Sequence, residues 1–224
     1  MKKIKNTNFD NIFFDFNGTI LDDVDLTYKI QSELSLKYHF KNVDKQFYLN
    51  NFCFPIKEYY KKIGFDFLKF DYNNLSQDFM KEYLNREEKE THLYKGTKTT
   101  LKLLKESGYR LYILSVSHKD NLKMQLRRLG ILSLFDDFIG SSDIEGEGKL
   151  NLCLEYFKKN KINPGKSIMI GDTVHDYEVA QGAKMSSMLF SSGHNSVALL
   201  DETGAKVVKS YHEIEEYFLK GLWD

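Results

Sequence analysis

The 224-residue sequence has no net charge, because 32 lysine and arginine residues balance 32 aspartate and glutamate residues. Without a basic excess there is no sequence-wide field to attract nucleic acid or an anionic membrane surface, so neither is expected as a partner. No stretch approaches the roughly 18 apolar residues of a membrane-spanning helix. The N-terminus is basic but lacks the apolar segment of a secretory signal. These absences predict a cytoplasmic protein.

Cysteine is also scarce. Cys53 and Cys153 lie far apart, and neither has the spacing of a Cys-x-x-Cys motif or of a Cys/His metal site. We therefore expect two reduced thiols. The apolar fraction of 42% and the aromatic fraction of 14% are ordinary for a protein that buries a core. The length suits one large domain, or a core domain that carries a smaller inserted one.

Helical and strand patterns alternate from about residue 94 onward. Two helical stretches end at Gly108 and Gly130, and glycine is the residue type that favours a helix stop. Buried strands are predicted at 109–116 and 167–171, with another at 11–16 near the N-terminus. Repeated strand–helix units predict an α/β protein with a parallel, doubly wound sheet.

The composition changes between residues 21 and 91. A helical stripe covers 25–40, and the segments after it contain no convincing buried strand. We predict an all-helical domain at 21–91, inserted into an α/β core formed by 1–20 and 92–224. Its aromatic residues and lysines fit either a small helical core or an aromatic and basic lining for a phosphorylated metabolite. The residues concerned are Phe47, Tyr48, Phe52, Phe54, Lys57, Tyr59 and Tyr60.

Polar residues follow the predicted strands, at the edge where ligands bind in open α/β sheets. They are Asp15, Asn17, Gly18 and Thr19 after the first strand, Ser115, Ser117 and His118 after the second, and Asp172, Thr173 and Asp176 after the third. Carboxylates hold divalent cations, whereas hydroxyl, lysine and backbone N–H groups hold phosphate oxygens. The set therefore predicts a site for phosphoryl transfer.

Most of these residues also have a plainer explanation. Asp15 and the Gly18–Thr19 pair suit a turn at the end of a strand. Helix capping or the helix dipole would explain Ser115, Asp172, Thr173 and Asp176. Lys149 is harder to explain, because a lysine in the first turn of a helix opposes the dipole. A nearby bound anion would offset that cost.

The order and spacing of these residues resemble the four motifs of the haloacid dehalogenase superfamily. FFDFNGTI resembles the first motif, DxDGT, and LYILSVS resembles the second; Lys149 fits the third, and GDTVHD matches the fourth, GDTxxD. The resemblance covers 9–20 and about 92–220, and it is nearest to the phosphoglycolate phosphatase-like branch. It implies a Rossmann-like, three-layer core with a helical cap in the position of 21–91.

The resemblance also implies a reaction and the residues that perform it. The protein would be a Mg²⁺-dependent phosphatase that acts on a small phosphorylated metabolite through an aspartyl-phosphate on Asp15. The implied catalytic residues are Asp15, Asn17, Ser115 and Lys149. The implied Mg²⁺ ligands are Asp15, the main-chain carbonyl of Asn17, Asp172 and Asp176. The implied phosphate-binding residues are Gly18, Thr19, Ser115, Ser117 and Lys149. By default we expect a monomer or a weak dimer.

Asn17 departs from the family pattern, which has an aspartate here to protonate the leaving oxygen. Asparagine donates hydrogen bonds but does not exchange a proton near pH 7. General acid–base assistance is worth roughly 100- to 10,000-fold. Three explanations stay open: a substrate with a good leaving group, such as an acyl or aryl phosphate; a substitute acid or base; or a weak catalyst that mainly binds a phosphorylated ligand. The candidates for a substitute are His118, Asp22 and Asp23, with His118 preferred because imidazole titrates near neutrality.

Other functions are weighed against the phosphatase. The name-giving dehalogenases attack carbon without a metal, and Asp172 within GDTVHD points instead to a metal site. A phosphomutase stays possible, because 114–119 (LSVSHK) loosely resemble the second motif of that branch. A non-enzymatic sensor of a phosphorylated ligand is the alternative from a different class.

Overall fold

The computed structural model describes residues 5–141 and 148–221. Its strands, in chain order, are β1 (Asn11–Phe14), β2 (Leu21–Asp22), β3 (His92–Leu93), β4 (Arg110–His118), β5 (Asp137–Ser141), β6 (Ser167–Gly171), β7 (Ser186–Phe190) and β8 (Lys206–Val208). A six-stranded sheet has the order β5-β4-β1-β6-β7-β8, and every pair of neighbours in it is parallel. The predicted α/β fold with a parallel sheet is confirmed.

The helices alternate with the strands in the second half of the chain. They are α1 (Val24–Tyr38), α2 (Lys45–Asn51), α3 (Ile56–Lys62), α4 (Tyr72–Glu90), α5 (Thr97–Glu106), α6 (Lys119–Arg128), α7 (Lys149–Asn160), α8 (Val174–Gly182), α9 (Val197–Glu202) and α10 (Tyr211–Lys220). The sequence pattern misses α9, β2 and β3, because elements of two to six residues are too short to show a period. No helix within 5–141 or 148–221 has the length and apolar character to cross a bilayer.

Alternating side chains of the central strand place helices on both faces of the sheet. Ile12 and Phe14 point into a core that includes residues of α5, α6 and α10. Phe13 points into the opposite core, which is formed with α7 and α8, and its ring stacks on Tyr112 at 4.6 Å between centroids. Side chains alternate because successive residues of a strand face opposite sides. The result is the three-layer core that the sequence predicts.

The position of β1 in the sheet determines where polar residues can meet. It lies between β4 and β6, with Phe14 in register with Ile113 on one side and Ile170 on the other. The chain thus adds strands on both sides of β1, and a crevice forms at the carboxyl ends where the strand order reverses. The residues that follow β1, β4 and β6 are consequently neighbours.

Helices α1 to α4 build a third apolar core, separate from the two cores of the sheet. The chain leaves the sheet at β2 and returns at β3, and these two strands pair antiparallel, with Leu21 opposite Leu93. The two connections between the sheet and helices α1 to α4 therefore run side by side. The exact division into a core and an insert at 21–91 stays a prediction.

Replacement of Phe14 by alanine tests the central position of β1. Phe14 is fully buried, so the transfer loss and the cavity should lower the free energy of unfolding by about 3–5 kcal/mol. Urea denaturation followed by circular dichroism measures this. Leu36, which is 77% exposed, provides the control, since Leu36→Ala should change stability by no more than about 0.5 kcal/mol. A loss below about 1 kcal/mol for Phe14→Ala would contradict the central placement.

Candidate active site

The predicted strand-end residues lie together at the carboxyl edge of the sheet. Asp15 follows β1 directly, and its backbone N–H donates to the Ile170 carbonyl at 2.8 Å, which extends the ladder between β1 and β6. Ser115 and Ser117 belong to the last part of β4, and both line the same cavity as Asp15. Asp172 follows β6 and is fully buried. The sheet topology thus brings residues from distant parts of the sequence to one place.

Lys149 bridges two carboxylates at this edge. It is the first residue of α7 and is 3% exposed, and its Nζ donates to Asp15 Oδ1 at 2.7 Å and to Asp176 Oδ1 at 2.6 Å. Burial alone would lower the pKa of Lys149, but the two carboxylates raise it above its ordinary value. The unfavourable place of a lysine at a helix start is therefore offset by paired carboxylates within the protein.

Asp176 has two functions at once. Its Oδ2 accepts hydrogen bonds from the Thr173 backbone N–H, the Thr173 hydroxyl and the Asp172 backbone N–H. Thr173 in turn caps α8, so the two residues form a capping box. Burial acts against the ionised form, but Lys149 holds the pKa of Asp176 below its usual value. The capping interpretation and the functional one are therefore compatible at this position.

Asp172 is oriented by the motif around Asp15. Its Oδ1 accepts from the Thr19 hydroxyl at 2.7 Å, and its Oδ2 accepts from the backbone N–H of His194 at 2.7 Å. The backbone N–H of Gly18 donates to Asp23 at 2.8 Å. Neither Gly18 nor Thr19 is among the described residues that line the cavity. Their donors contact carboxylates in this structure, and their phosphate-binding role stays a prediction.

Two glycines allow the backbone to approach Asp172 closely. A Cβ atom on Gly193 would lie 2.2 Å from Asp172 Oδ2, and one on Gly18 would lie 2.3 Å from the same oxygen. Gly18 also has a φ of +71°, which side chains other than glycine rarely adopt. The carboxylate is thus held in a space that excludes every larger residue at these positions.

The carboxylates form a compact cluster. Asp15, Asp172 and Asp176 each offer an oxygen, and these oxygens lie within 4.8 Å of one another. Burial raises the pKa of Asp15 to about 7, with Asp176 and Asp172 acting in the same direction against Lys149. Burial likewise raises the pKa of Asp172 to about 6. Without a bound cation, the residues around the cluster therefore do not fully stabilise its ionised carboxylates.

All hydrogen-bonding atoms of the Asn17 amide are occupied. Its Nδ2 donates to Asp23 Oδ2 and to the Tyr83 hydroxyl, each at 2.7 Å, and its Oδ1 accepts from the Ser117 hydroxyl at 2.9 Å. Asp23 precedes α1, and Tyr83 belongs to α4. Asn17 therefore connects the sheet with the inserted helices.

Asp23 and His194 form a buried pair that the sequence interpretation misses. His194 Nε2 lies 3.3 Å from Asp23 Oδ1, and His194 Nδ1 shares a hydrogen bond with the Tyr48 hydroxyl at 2.7 Å. Burial opposes a charged imidazole, but the hydrogen bond to Asp23 and its charge raise the pKa of His194 to about 9. His194 follows β7 at the same edge of the sheet, so the strand-end rule, applied to β7, would have found it.

The three candidates for a substitute acid or base have different positions. His118 is exposed, and its Nδ1 accepts from the Asp120 backbone N–H as the cap of α6. Asp22 Oδ2 lies 3.5 Å from His92 Nε2. Of the three, only Asp23 lines the cavity among the described residues. His118 caps α6 away from the cavity, and its role as a substitute acid or base stays a prediction.

A cavity of about 190 Å³ extends from the carboxylates into the inserted helices. We call the part of its lining contributed by residues 27–83 the cap wall. The cap wall consists of Thr27, Gln31, Tyr48, Phe52, Phe54, Ile56, Tyr59, Tyr60, Tyr72, Ser76, Phe79, Met80 and Tyr83. Part of the predicted aromatic lining is present, but Lys57 is not among the described lining residues.

The fold and the site define an α/β protein with a carboxylate and lysine cluster at the carboxyl edge of its sheet. A family model described as haloacid dehalogenase-like hydrolase matches residues 12–190. The chain belongs to this family and is a hydrolase of this class.

Comparisons with individual proteins agree with the family. The chain is 27% identical over 216 residues to a phosphoglycolate phosphatase from Nitrosococcus oceani, a match that covers 91% of this chain and 94% of the relative. It is similar in structure to a predicted phosphatase from Clostridium acetobutylicum (TM-score 0.77, 23% identity, 93% and 97% coverage). It is also similar to a haloacid dehalogenase-like family hydrolase from Streptococcus pneumoniae (TM-score 0.74, 20% identity, 94% and 98% coverage). At these identities the structural matches show the fold alone.

Replacement of Gly193 by alanine tests the close packing around Asp172. The added methyl group would force the Asp172 carboxylate or the backbone to move, so we expect a loss of about 1–3 kcal/mol in the free energy of unfolding. Urea denaturation in the presence of a chelator measures the loss. Gly165→Ala is the matched control, because its Cβ would meet its nearest neighbour at an ordinary 3.5 Å. Equal stability of both variants would contradict the described packing.

Proposed function

We propose that the chain is a Mg²⁺-dependent phosphatase that hydrolyses a small phosphate monoester through an aspartyl-phosphate on Asp15. The observation that carries the proposal is the buried bridge from Lys149 to Asp15 and Asp176, next to Ser115 at the carboxyl edge of the sheet. Family membership and the similarity to a protein named phosphoglycolate phosphatase support phosphoric monoester hydrolysis as the reaction.

The donor set fits a magnesium ion. Hard carboxylate oxygens are its preferred ligands, and ligands at about 2.0–2.1 Å place opposite oxygens about 4 Å apart. The oxygens of Asp15, Asp172 and Asp176 lie within 4.8 Å of one another, so a small movement would suffice. Asp15, Asp172 and the main-chain carbonyl of Asn17 would hold the ion, with Asp176 in support. When bound, the ion would neutralise charge on the phosphoryl oxygens.

The side chains suit a displacement in two steps. In the first, a carboxylate oxygen of Asp15 bonds to phosphorus while the ester bond to the leaving oxygen breaks, and that oxygen keeps the electron pair and takes a proton from solvent. In the second, water bonds to phosphorus and gives up a proton to solvent, the bond to Asp15 breaks, and inorganic phosphate leaves. The Lys149 ammonium and the Ser115 hydroxyl stabilise the phosphoryl oxygens in both steps. Lys149 also orients Asp15 and favours its ionised form, because it contacts Oδ1 at 2.7 Å.

The inserted helices act as a cap in this proposal. The cap wall closes the cavity opposite the carboxylates, and closure excludes water from the reacting phosphoryl group. Asn17 joins the cap to the core through Asp23 and Tyr83. Because its amide protons are already engaged, Asn17 gives the leaving oxygen little help, which favours substrates whose leaving group needs little protonation.

The occupied amide of Asn17 also supports a second candidate function. A protein that binds a phosphorylated ligand without turning it over would keep the same carboxylates, Lys149 and cap contacts. Phosphate release separates the two functions, since a sensor binds but does not release phosphate. A phosphomutase would instead transfer the phosphoryl group from Asp15 to a different hydroxyl group of the substrate molecule.

Replacement of Asp15 by asparagine tests the nucleophile. Loss of the attacking oxygen should lower phosphate release from phenyl phosphate by roughly 1,000-fold or more. Removal of Mg²⁺ with EDTA should abolish release, and added Mg²⁺ should restore it. In the native enzyme, a rapid acid quench should trap one phosphoryl group per chain in a form that hydroxylamine cleaves.

Asp10→Asn is the matched control. Asp10 lies just before the opposite end of β1, with its side chain 50% exposed and paired with Lys5, so this variant should keep full activity. Release that continues in Asp15→Asn would refute Asp15 as the nucleophile. Tight binding of phosphate esters without any release by the native chain would favour the sensor.

An exchange of Asn17 and Asp23 tests whether acid assistance is missing. Asn17→Asp alone places two carboxylates at the 2.7 Å contact with Asp23, so it should destabilise the protein by about 1–3 kcal/mol at pH 7. The double variant Asn17→Asp/Asp23→Asn restores an amide–carboxylate hydrogen bond and moves the carboxylate to position 17. Its turnover of an alkyl phosphate should rise toward the roughly 100- to 10,000-fold that general acid catalysis provides.

Asp23→Asn alone is the control for the exchange, and it should show no such rise. Turnover is measured with ethyl phosphate, and stability is measured by thermal unfolding. If Asn17→Asp is as stable as the native protein, the contact with Asp23 is absent. If the native protein already hydrolyses ethyl phosphate as fast as phenyl phosphate, another group supplies the proton.

A further inference from the structure

The cap wall carries no charge of its own. Lys149 and His194 are the cationic side chains among the described residues that line the cavity. Lys149 is bound to Asp15 and Asp176, and His194 is bound to Asp23. An anionic group on the leaving side of a substrate would therefore lose its water without gaining a counterion.

Aromatic rings dominate the cap wall. Tyr48 and Phe52 contact each other with centroids 5.2 Å apart, and Tyr59 lies 5.5 Å from Phe52, so the rings form a continuous surface. Such surfaces favour flat, apolar groups, which add ring contacts to the burial of area. The cavity of about 190 Å³ is close in size to a cavity of about 150 Å³ that takes up benzene. The phosphoryl group takes up the end of this cavity beside Asp15 and Ser115, so the remaining space suits a leaving group of about one ring.

Gln31 supplies one unpaired donor within this apolar wall. The residue is 2% exposed, and its Oε1 accepts from the Tyr59 hydroxyl at 2.5 Å. Its Nε2 is buried and has no hydrogen-bond partner among the described residues. A buried donor without a partner is unfavourable, so an acceptor on a ligand would satisfy it.

We propose that the substrate is the phosphate monoester of an uncharged, mainly apolar alcohol or phenol of about one ring, with one hydrogen-bond acceptor that pairs with Gln31. The proposal rests on the proposed phosphatase function and names its substrate class. It disfavours leaving groups that carry a carboxylate or a second phosphate. A phenolic leaving group also agrees with Asn17, since a phenol leaves with little protonation.

Binding of two phosphonates that resist hydrolysis tests the charge preference. Benzylphosphonate imitates phenyl phosphate, and 3-phosphonopropionate imitates an ester whose leaving group bears a carboxylate. We expect calorimetry with Mg²⁺ present to show at least about 10-fold tighter binding of benzylphosphonate, because its ring needs no counterion. Equal or tighter binding of 3-phosphonopropionate would overturn the substrate class.

A lysine introduced into the cap wall should weaken the preference for benzylphosphonate over 3-phosphonopropionate. Met80 belongs to α4 and lines the cavity, so Met80→Lys should reduce the ratio of the two affinities by about 10-fold or more. Leu84→Lys is the matched control, because Leu84 lies one turn further along α4, is 39% exposed and is not among the described lining residues. An unchanged ratio in Met80→Lys, with the fold intact by circular dichroism, would also overturn the proposal.

The role of Gln31 has its own test. A benzylphosphonate that carries an acetyl group on its ring should lose about 3- to 10-fold in affinity in Gln31→Leu, whereas plain benzylphosphonate should not. Equal losses for both ligands would overturn the predicted hydrogen bond.

The hydrolysis of phenyl phosphate, measured against the Asp15→Asn blank, tests the reaction separately. An enzyme that hydrolyses phenyl phosphate but prefers 3-phosphonopropionate keeps the proposed function and loses only the substrate class.

Discussion

The buried ammonium group of Lys149 is the interaction on which the active-site edge depends. It joins the end of β1 to the first turn of α8, and it does so from the first residue of α7. Three elements from different parts of the chain therefore have their relative positions determined by one cation. Without that charge, Asp15 and Asp176 would repel each other in a space that excludes water. The sheet brings Asp15 and Asp176 together, and their ion pairs with Lys149 offset the repulsion between the two carboxylates.

The residues of the site also serve the fold. Asp176 closes the capping box of α8, and Thr19 holds Asp172 with its only hydroxyl. Asn17 contributes its whole amide to contacts between the sheet and the inserted helices. Because each side chain has both kinds of partner, structural and chemical explanations of a motif residue are not alternatives here. Changes at these positions are expected to alter stability and chemistry together.

The sequence contained enough information for the fold and for much of the site. Apolar runs at β1, β4 and β6 indicate parallel strands, and in a parallel sheet the residues after each strand must share an edge, which places Asp15, Ser115 and Asp172 together. Periodicity does not reveal which donor meets which acceptor. The hydrogen bond from Thr19 to Asp172 joins residues 153 apart in sequence, so no local pattern indicates that this hydroxyl orients a carboxylate. The strand-end rule, applied to β7, would have indicated His194, but its pairing with Tyr48 and Asp23 is visible only in the structure.

The short ladder between β2 and β3 has a consequence for how the chain evolves. Because Leu21 and Leu93 are paired, the inserted segment begins and ends at neighbouring positions, as the loop of a β-hairpin does. The entropy of closing a loop grows only slowly with its length, so helices can be lengthened, shortened or replaced between these strands at small cost to the sheet. The helices that line the cavity can therefore diverge while the carboxylate and lysine cluster at the edge of the sheet is retained.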